Sequence, residues 1–383
     1  MVERIQVKPE LIRWARERLG RDVDDFGARF KRLAAWESGE AQPTFRQLKD
    51  YAQATHVPLG YFFLPEPPIE RLPMTDLRTL DNQWLSRPSP NLLDTIYAMQ
   101  RRQDWLREEM IACEAEPLDF VGSAAMSDSP QGVGREMRRV IGFEEGWAAM
   151  VNTWQEAVSI LRLAMEKIGV IAFINGVVGN NTKRALNVEE FRGFALCDEY
   201  APLIFVNGAD SKSAQMFTLA HELAHIWLGE SALSDLHLGV HPTQDIELWC
   251  NKAAAEFLVP EKELRECWQS VKYEGSQFDS LARRFKVSPI VAGRRAMELH
   301  LVDRATFFDF YRDYVKREKR HRAGSKGGNF YNTQSIRLGE HFALTVFYAA
   351  KEGRVSFKEA YDLTGLHAGA FQEYAYRLGV MLP

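Results

Sequence analysis

Cysteine is scarce in this chain. The four present, Cys113, Cys197, Cys250 and Cys267, are widely spaced and form no C-x-x-C pair, which speaks against a disulfide framework or a cysteine zinc knuckle and fits a reducing cytoplasm. An excess of one charge is also missing. The 48 Lys and Arg stand against 52 Asp and Glu, for a formal net charge of -4, so there is no global basic coat for nucleic acid and only local patches can be read. No apolar run reaches the roughly 18 residues of a membrane span. The opening stretch MVERIQVKPELIRWARERLG carries Arg and Glu where a secretory signal would be apolar. The expectation is a cytoplasmic chain without membrane contact. What is present, 46% hydrophobic and 26% charged residues over 383 positions, belongs to soluble globular proteins and predicts about two or three domains.

The first seventy residues carry short helical signals. Pro9 sits where a first helical position would be, Leu11, Trp14, Ala15 and Leu19 share a face, and Gly20 follows as a stop. Asp22 can cap a second helix over 22–30, residues 31–38 make a third ending at Gly39, Thr44 with Gln47 forms a capping box for a fourth, and 57–63 closes the set. Together with Trp36-Glu37-Ser38-Gly39 and Pro43-Thr44, this arrangement resembles the XRE-type helix-turn-helix of phage-repressor-like regulators. The turn before the third helix is shortened, and Arg29, Lys31 and Arg32 suit phosphates better than bases. The module is therefore read either as DNA-binding or as a helical dimerisation or docking unit.

Six of the 16 prolines lie between Pro65 and Pro90, which marks 65–90 as a linker. Residues 91–115 and 145–167 read as amphipathic helices with a loop-rich interval at 117–134. Then the period changes, and 169–174, 191–197 and 202–206 read as three strands of a small sheet.

Directly after the third strand, residues 210–229 form one helix, apolar on most faces, with Asp210 and Ser211 at its start and Gly229 at its end. Inside it His221 and His225 are four residues apart, so both imidazoles leave one face about a turn apart and can bind one zinc ion. Glu222 is placed as the general base of the H-E-x-x-H arrangement, taking a proton from the water that attacks a peptide carbonyl. A third protein ligand is needed. The metzincin position, six residues after His225, is Ser231, which excludes that arrangement. In the next helix Glu247 near the start can face the metal, with Asp245 as its substitute. Asn251, one turn on, can bond a ligand from the outer shell. Glu256, nine positions after Glu247, falls on the opposite face. His237 and His241 read as solvated loop histidines, with an oxyanion-stabilising role as the alternative.

The strand P-L-I-F-V-N-G, then F-T-L-A-H-E-L-A-H-I-W-L-G, then E-x-x-x-N-x-x-A-A-E-F-L-V-P, resembles the ImmA/IrrE family of zinc metallopeptidases, gluzincin-like in fold. The motifs cover about residues 150–270. The resemblance implies one zinc ion held by His221, His225 and Glu247, with Glu222 as base. One departure is Cys250, where the family usually has a small residue, and a cysteine could itself ligate zinc. Residues 278–302 outline another helix-turn-helix, 316–328 a basic, glycine-bearing connector, and 330–383 further amphipathic helices.

The expected fold class is α+β. It comprises a helix-turn-helix domain at 1–64, a linker at 65–90, a zinc metallopeptidase domain with a small three-stranded sheet at 91–270, and a helical region at 271–383. The expected function is that of a zinc endopeptidase cleaving or controlling an XRE-type repressor or antitoxin in a stress or mobile-element response. The alternative is a transcriptional regulator or antitoxin that binds a toxin such as a PIN-like ribonuclease. DNA and a second copy of the chain complete the expected partners.

Overall fold

The computed structural model describes residues 3–70, 75–76, 88–234, 242–321 and 337–382. The chain divides into two compact units, one of Met1–Pro73 with Gln83–Ile96 and one of Met74–Asn82 with Tyr97–Pro383.

In the first unit, helices α1 (Pro9–Glu17), α2 (Val23–Gly27), α3 (Leu33–Glu37) and α4 (Phe45–Thr55) are followed by a 3-10 turn at Leu59–Phe63. The capping signals form as expected. Pro9 opens α1, Asp22 and Asp25 cap α2 reciprocally, and Gln47 N donates to Thr44 Oγ1 at 3.2 Å. Helix α2 stops at Gly27, short of the expected Phe30. Phe30 instead turns into the core, where its ring meets Tyr51 edge-on at 5.2 Å. Tyr51 is fully buried and its hydroxyl donates to Ile12 O at 2.9 Å, so one aromatic side chain ties α1 to α4. Arg16 grips Glu37 through two bonds of 2.7 and 2.9 Å, the bidentate geometry that makes a buried charge pair tolerable.

The second unit is built on a sheet. Strands β1 (Thr75–Asp76), β2 (Ile171–Asn175), β5 (Gly193–Leu196), β6 (Leu203–Asn207) and β7 (Ala232–Ser234) lie in the order β1-β7-β5-β6-β2, and β3 (Val177–Val178) pairs with β4 (Asn181–Ala185) in a separate ribbon. The three expected strands are β2, β5 and β6. β2 and β6 are parallel, whereas β5 runs antiparallel to β6 and to β7. Strands β2, β5 and β6 are buried at every position, which explains their continuous apolar runs in place of alternation. β1 falls inside the segment read as linker, a difference that two residues of backbone pairing leave no side-chain pattern to reveal.

Helices α5 (Pro90–Ala112), α6 (Pro130–Ile141), α7 (Trp154–Lys167), α8 (Lys212–Leu228) and α9 (Pro242–Leu258) precede α10 (Glu261–Val271), α11 (Gln277–Phe285), α12 (Pro289–Glu298) and α13 (Arg304–His321). Three more, α14 (Glu340–Lys351), α15 (Phe357–Thr364) and α16 (Ala368–Arg377), follow. No described helix is long and apolar enough to cross a membrane.

Three boundaries differ from expectation. α7 begins at Trp154, where Thr153 accepts from Glu156 N, and the preceding 147–150 is a 3-10 turn. α6 begins at Pro130, inside the end of the interval read as loop, and continues through 135–141, for which no element was expected. Its glycines disguised it, yet Gly134 is needed because a Cβ there would meet Ala253 O at 2.6 Å, so α6 lies backbone against α9. α13 carries Lys316–His321 as helix where a connector was expected, and 322–336 lie outside the described residues. The second helix-turn-helix outline is present as α11 and α12, joined at Lys286 with φ 55° and capped by Ser288.

Candidate metal centre

Helix α8 forms because both ends are satisfied and its middle is apolar all round. Ser211 Oγ accepts from Ala214 N at 3.2 Å, and Gly229 closes the helix in the left-handed conformation at φ 72°. Leu219, Ala220, Leu223 and Ala224 are all fully buried, so the polar residues among them are buried as well. His221, Glu222 and His225 are 1%, 0% and 0% exposed, and polar groups buried so deeply require partners.

Helix α9 supplies one. It is tied into the core by Trp249 Nε1 donating to Asp128 O at 3.0 Å, by Arg138 Nη1 donating to Phe257 O at 3.0 Å, and by the Arg295–Glu256 ion pair. This fastening aims Glu247 at the two imidazoles. Glu247 Oε2 lies 3.1 Å from His221 Nε2 and Glu247 Oε1 3.2 Å from His225 Nε2, while the two Nε2 atoms are 3.2 Å apart. The two imidazole nitrogens meet each other and a different oxygen each of the Glu247 carboxylate, and one donor atom from each of the three residues lies within 4.8 Å of the others, close enough to share one metal ion. Two nitrogens and a carboxylate oxygen are also a donor set suited to zinc. No other cluster of His, Cys, Asp and Glu among the described residues meets as a metal-sized group.

The charges agree with this crowding. Burial pulls His221 down, but the Glu247 carboxylate outweighs it and holds the imidazole above its ordinary range, with Asn251 adding to the effect. His225 is pushed down, chiefly by burial, with the His221 charge working in the same direction. Burial would raise Glu247, yet His221 and then His225 hold its carboxyl well below the usual carboxylate range. The Nδ1 atoms of both histidines are buried with no hydrogen bond among the described residues.

The remaining sequence candidates separate clearly. Asp245 is exposed and does not join the cluster. Glu256 faces away and is paired with Arg295, both side chains being 2% exposed. Cys250 is fully buried, lies outside the cluster whose atoms meet at metal-ligand spacing, and burial pushes its thiol well above the ordinary range. Ser231, at the metzincin position, has its hydroxyl accepting from Cys197 N at 2.8 Å. His237 and His241 lie outside the described residues. Sequence reasoning missed what lies around Glu222. Gly193 of β5 and Thr218 of α8 sit against it, and neither carries a charge or motif that would single it out.

Comparisons with known proteins bear on this segment. Residues 180–297, which include α8 and α9, match the peptidase family model described as the IrrE N-terminal-like domain, and residues 338–377 match a domain family of unknown function. The chain is 41% identical over 91 residues to the radiation response metalloprotease IrrE of Deinococcus radiodurans, over 22% of this chain and 28% of that protein. It therefore spans little more than a quarter of the curated relative's length. A Mycobacterium tuberculosis transcriptional regulator overlays 51% of this chain and 52% of its own at 15% identity with a TM-score of 0.27, too distant to carry an argument.

Proposed function

We propose that this chain is a zinc-dependent endopeptidase acting on a regulatory protein, a repressor or antitoxin of the XRE type. The observation that carries the reading is the convergence of His221 Nε2 and His225 Nε2 of α8 with the Glu247 carboxylate of α9 at 3.1–3.2 Å, with Glu222 next to His221 on the same buried helix. The match of residues 180–297 to a metallopeptidase-type domain supports it.

His221, His225 and Glu247 would hold the ion, which would supply Lewis-acid polarisation of the scissile carbonyl and a water that is a usable nucleophile near neutral pH. Glu222 takes the proton of the attacking water and delivers it to the leaving amine, so one carboxylate serves as base and then acid. Because Glu222 is buried between α8 and β5, its carboxylate acts in a water-poor setting where a proton transfer is well directed. Cleavage by this route needs no covalent nucleophile, and burial pushes the thiols of Cys197 and Cys250 upward, away from the reactive thiolate.

The first helical unit is assigned target or DNA recognition. Arg29, Lys31 and Arg32 line one pocket with Gln47 and Asp50, a surface suited to phosphates. The test is to incubate the zinc-loaded protein with candidate XRE-type regulators from the same cell and follow cleavage by mass spectrometry. One discrete cut, absent with Glu222→Gln, is the expected result. Equal loss of the regulator with Glu222→Gln would overturn the mechanism.

A further inference from the structure

We propose that Gly193 is a positioning residue for Glu222, the point at which strand β5 provides a wall that holds the carboxylate in place. The inference rests on the assignment of Glu222 as the general base.

Gly193 opens β5 and pairs with Val206 on one side and Ser234 on the other. Its φ is not positive, so the backbone conformation does not call for glycine. Space does. A Cβ at this position would stand 2.5 Å from Thr218 Cγ2, 2.9 Å from Phe205 O and 3.0 Å from Glu222 Oε1, all inside the roughly 3.5–4.0 Å at which carbon packs comfortably. The face of the strand that any other residue would fill is therefore occupied by the carboxylate of Glu222 and the methyl of Thr218.

Thr218 and Glu222 are one turn apart on α8, so their side chains share a face, and they are 3% and 0% exposed. The main chain of β5 and the Thr218 methyl form two walls around one carboxylate. The next residues of the strand, Phe194 and Ala195, are buried with side chains present, which confines the requirement for glycine to the point beside Glu222. A glutamate has three side-chain torsions, and a base that must meet water at hydrogen-bond distance gains from having them restricted before substrate arrives. Of the groups proposed for the chemistry, Glu222 is the one among the three atoms nearest to a Cβ at 193.

A plain packing role, keeping β5 close to α8, would make the same glycine necessary, so the test must single out Glu222. Gly193→Ala is introduced into the wild-type chain and into Glu222→Ala, and urea midpoints and zinc stoichiometry are measured for all four proteins, with a crystal structure of Gly193→Ala. The expected result is a lower midpoint for Gly193→Ala, a part of it recovered when Glu222 is trimmed while the contacts with Thr218 Cγ2 and Phe205 O remain, with zinc retained throughout and the Glu222 carboxylate displaced in the crystal. An equal loss in both backgrounds, or an added methyl accommodated with Glu222 unmoved, would overturn the proposal. Should Gly193→Ala fail to fold, the comparison is repeated with Thr218→Ser in every chain, which removes the methyl nearest the added Cβ; folding recovered by Glu222→Ala then supports the proposal, and failure with and without the Glu222 side chain overturns it. A wild-type protein that takes up no zinc would defeat the peptidase reading alone, since the comparison of midpoints still decides what Gly193 does.

Discussion

Glu222 and the three groups facing it have separable roles, and single substitutions distinguish them. Glu222→Gln removes the base while keeping size and hydrogen bonding, so cleavage should fall by at least about a hundredfold with zinc content unchanged, as checked by turnover and metal analysis on the same preparation. Cys250 offers a second residue-scale test. Its buried thiol is pushed well above the ordinary range, so at pH 8 iodoacetamide should label the exposed Cys113 and leave Cys250 unmodified in the folded protein. Rapid labelling of Cys250 would indicate a thiolate and reopen its candidacy as a ligand. The Arg295–Glu256 pair, 2% exposed on both sides, belongs to α9's anchorage. Glu256→Ala leaves a buried guanidinium uncompensated and should cost about 3–5 kcal/mol, read as a loss in chemical denaturation.

At the scale of elements, α8 is the part most legible in the amino-acid sequence. Its caps, its apolar middle and the spacing of His221 and His225 are all local signals, and the helix runs from Lys212 to Leu228 as those signals require. Gly229 sits at φ 72° with Gly122 Cα 3.1 Å from where a Cβ would be. Gly229→Ala should therefore destabilise the protein by at least about 1–2 kcal/mol, the cost of a left-handed residue with a side chain, measurable as a fall in the urea midpoint. α6 was illegible for the opposite reason. Pro130, Gly132 and Gly134 are loop-like residues locally, and only the close approach to α9 makes Gly134 a packing residue. The same holds for α2, which ends at Gly27 because Phe30 is drawn into the core around Tyr51, a contact between residues twenty-one positions apart that no window of sequence contains.

For the whole molecule, the proposed metal would couple chemistry to folding. Glu247 comes from α9 and the histidines from α8, so an ion held by all three joins two helices that are separated by residues 229–241. Zinc that binds the folded chain and not the unfolded one stabilises by about 4 kcal/mol at a thousandfold excess over its dissociation constant. The melting temperature should rise on adding zinc and fall in a chelator, and Glu247→Ala should abolish the difference. The cluster was legible in the sequence because H-E-x-x-H places two candidate ligands and the proposed base within five residues. Choosing Glu247 over Asp245 and Cys250 depended on which residues of α9 turn toward α8, and that follows from contacts with Asp128, Arg138 and Arg295 far along the chain.

The most direct test of the metal centre is the zinc content of protein purified without chelator, by plasma mass spectrometry, for wild type, His221→Ala, Glu247→Ala and Glu222→Gln. The prediction is one zinc per chain in wild type and in Glu222→Gln, and loss in both ligand variants. A wild type that holds no zinc and takes none up, or a Glu247→Ala protein that keeps it, would contradict the assignment.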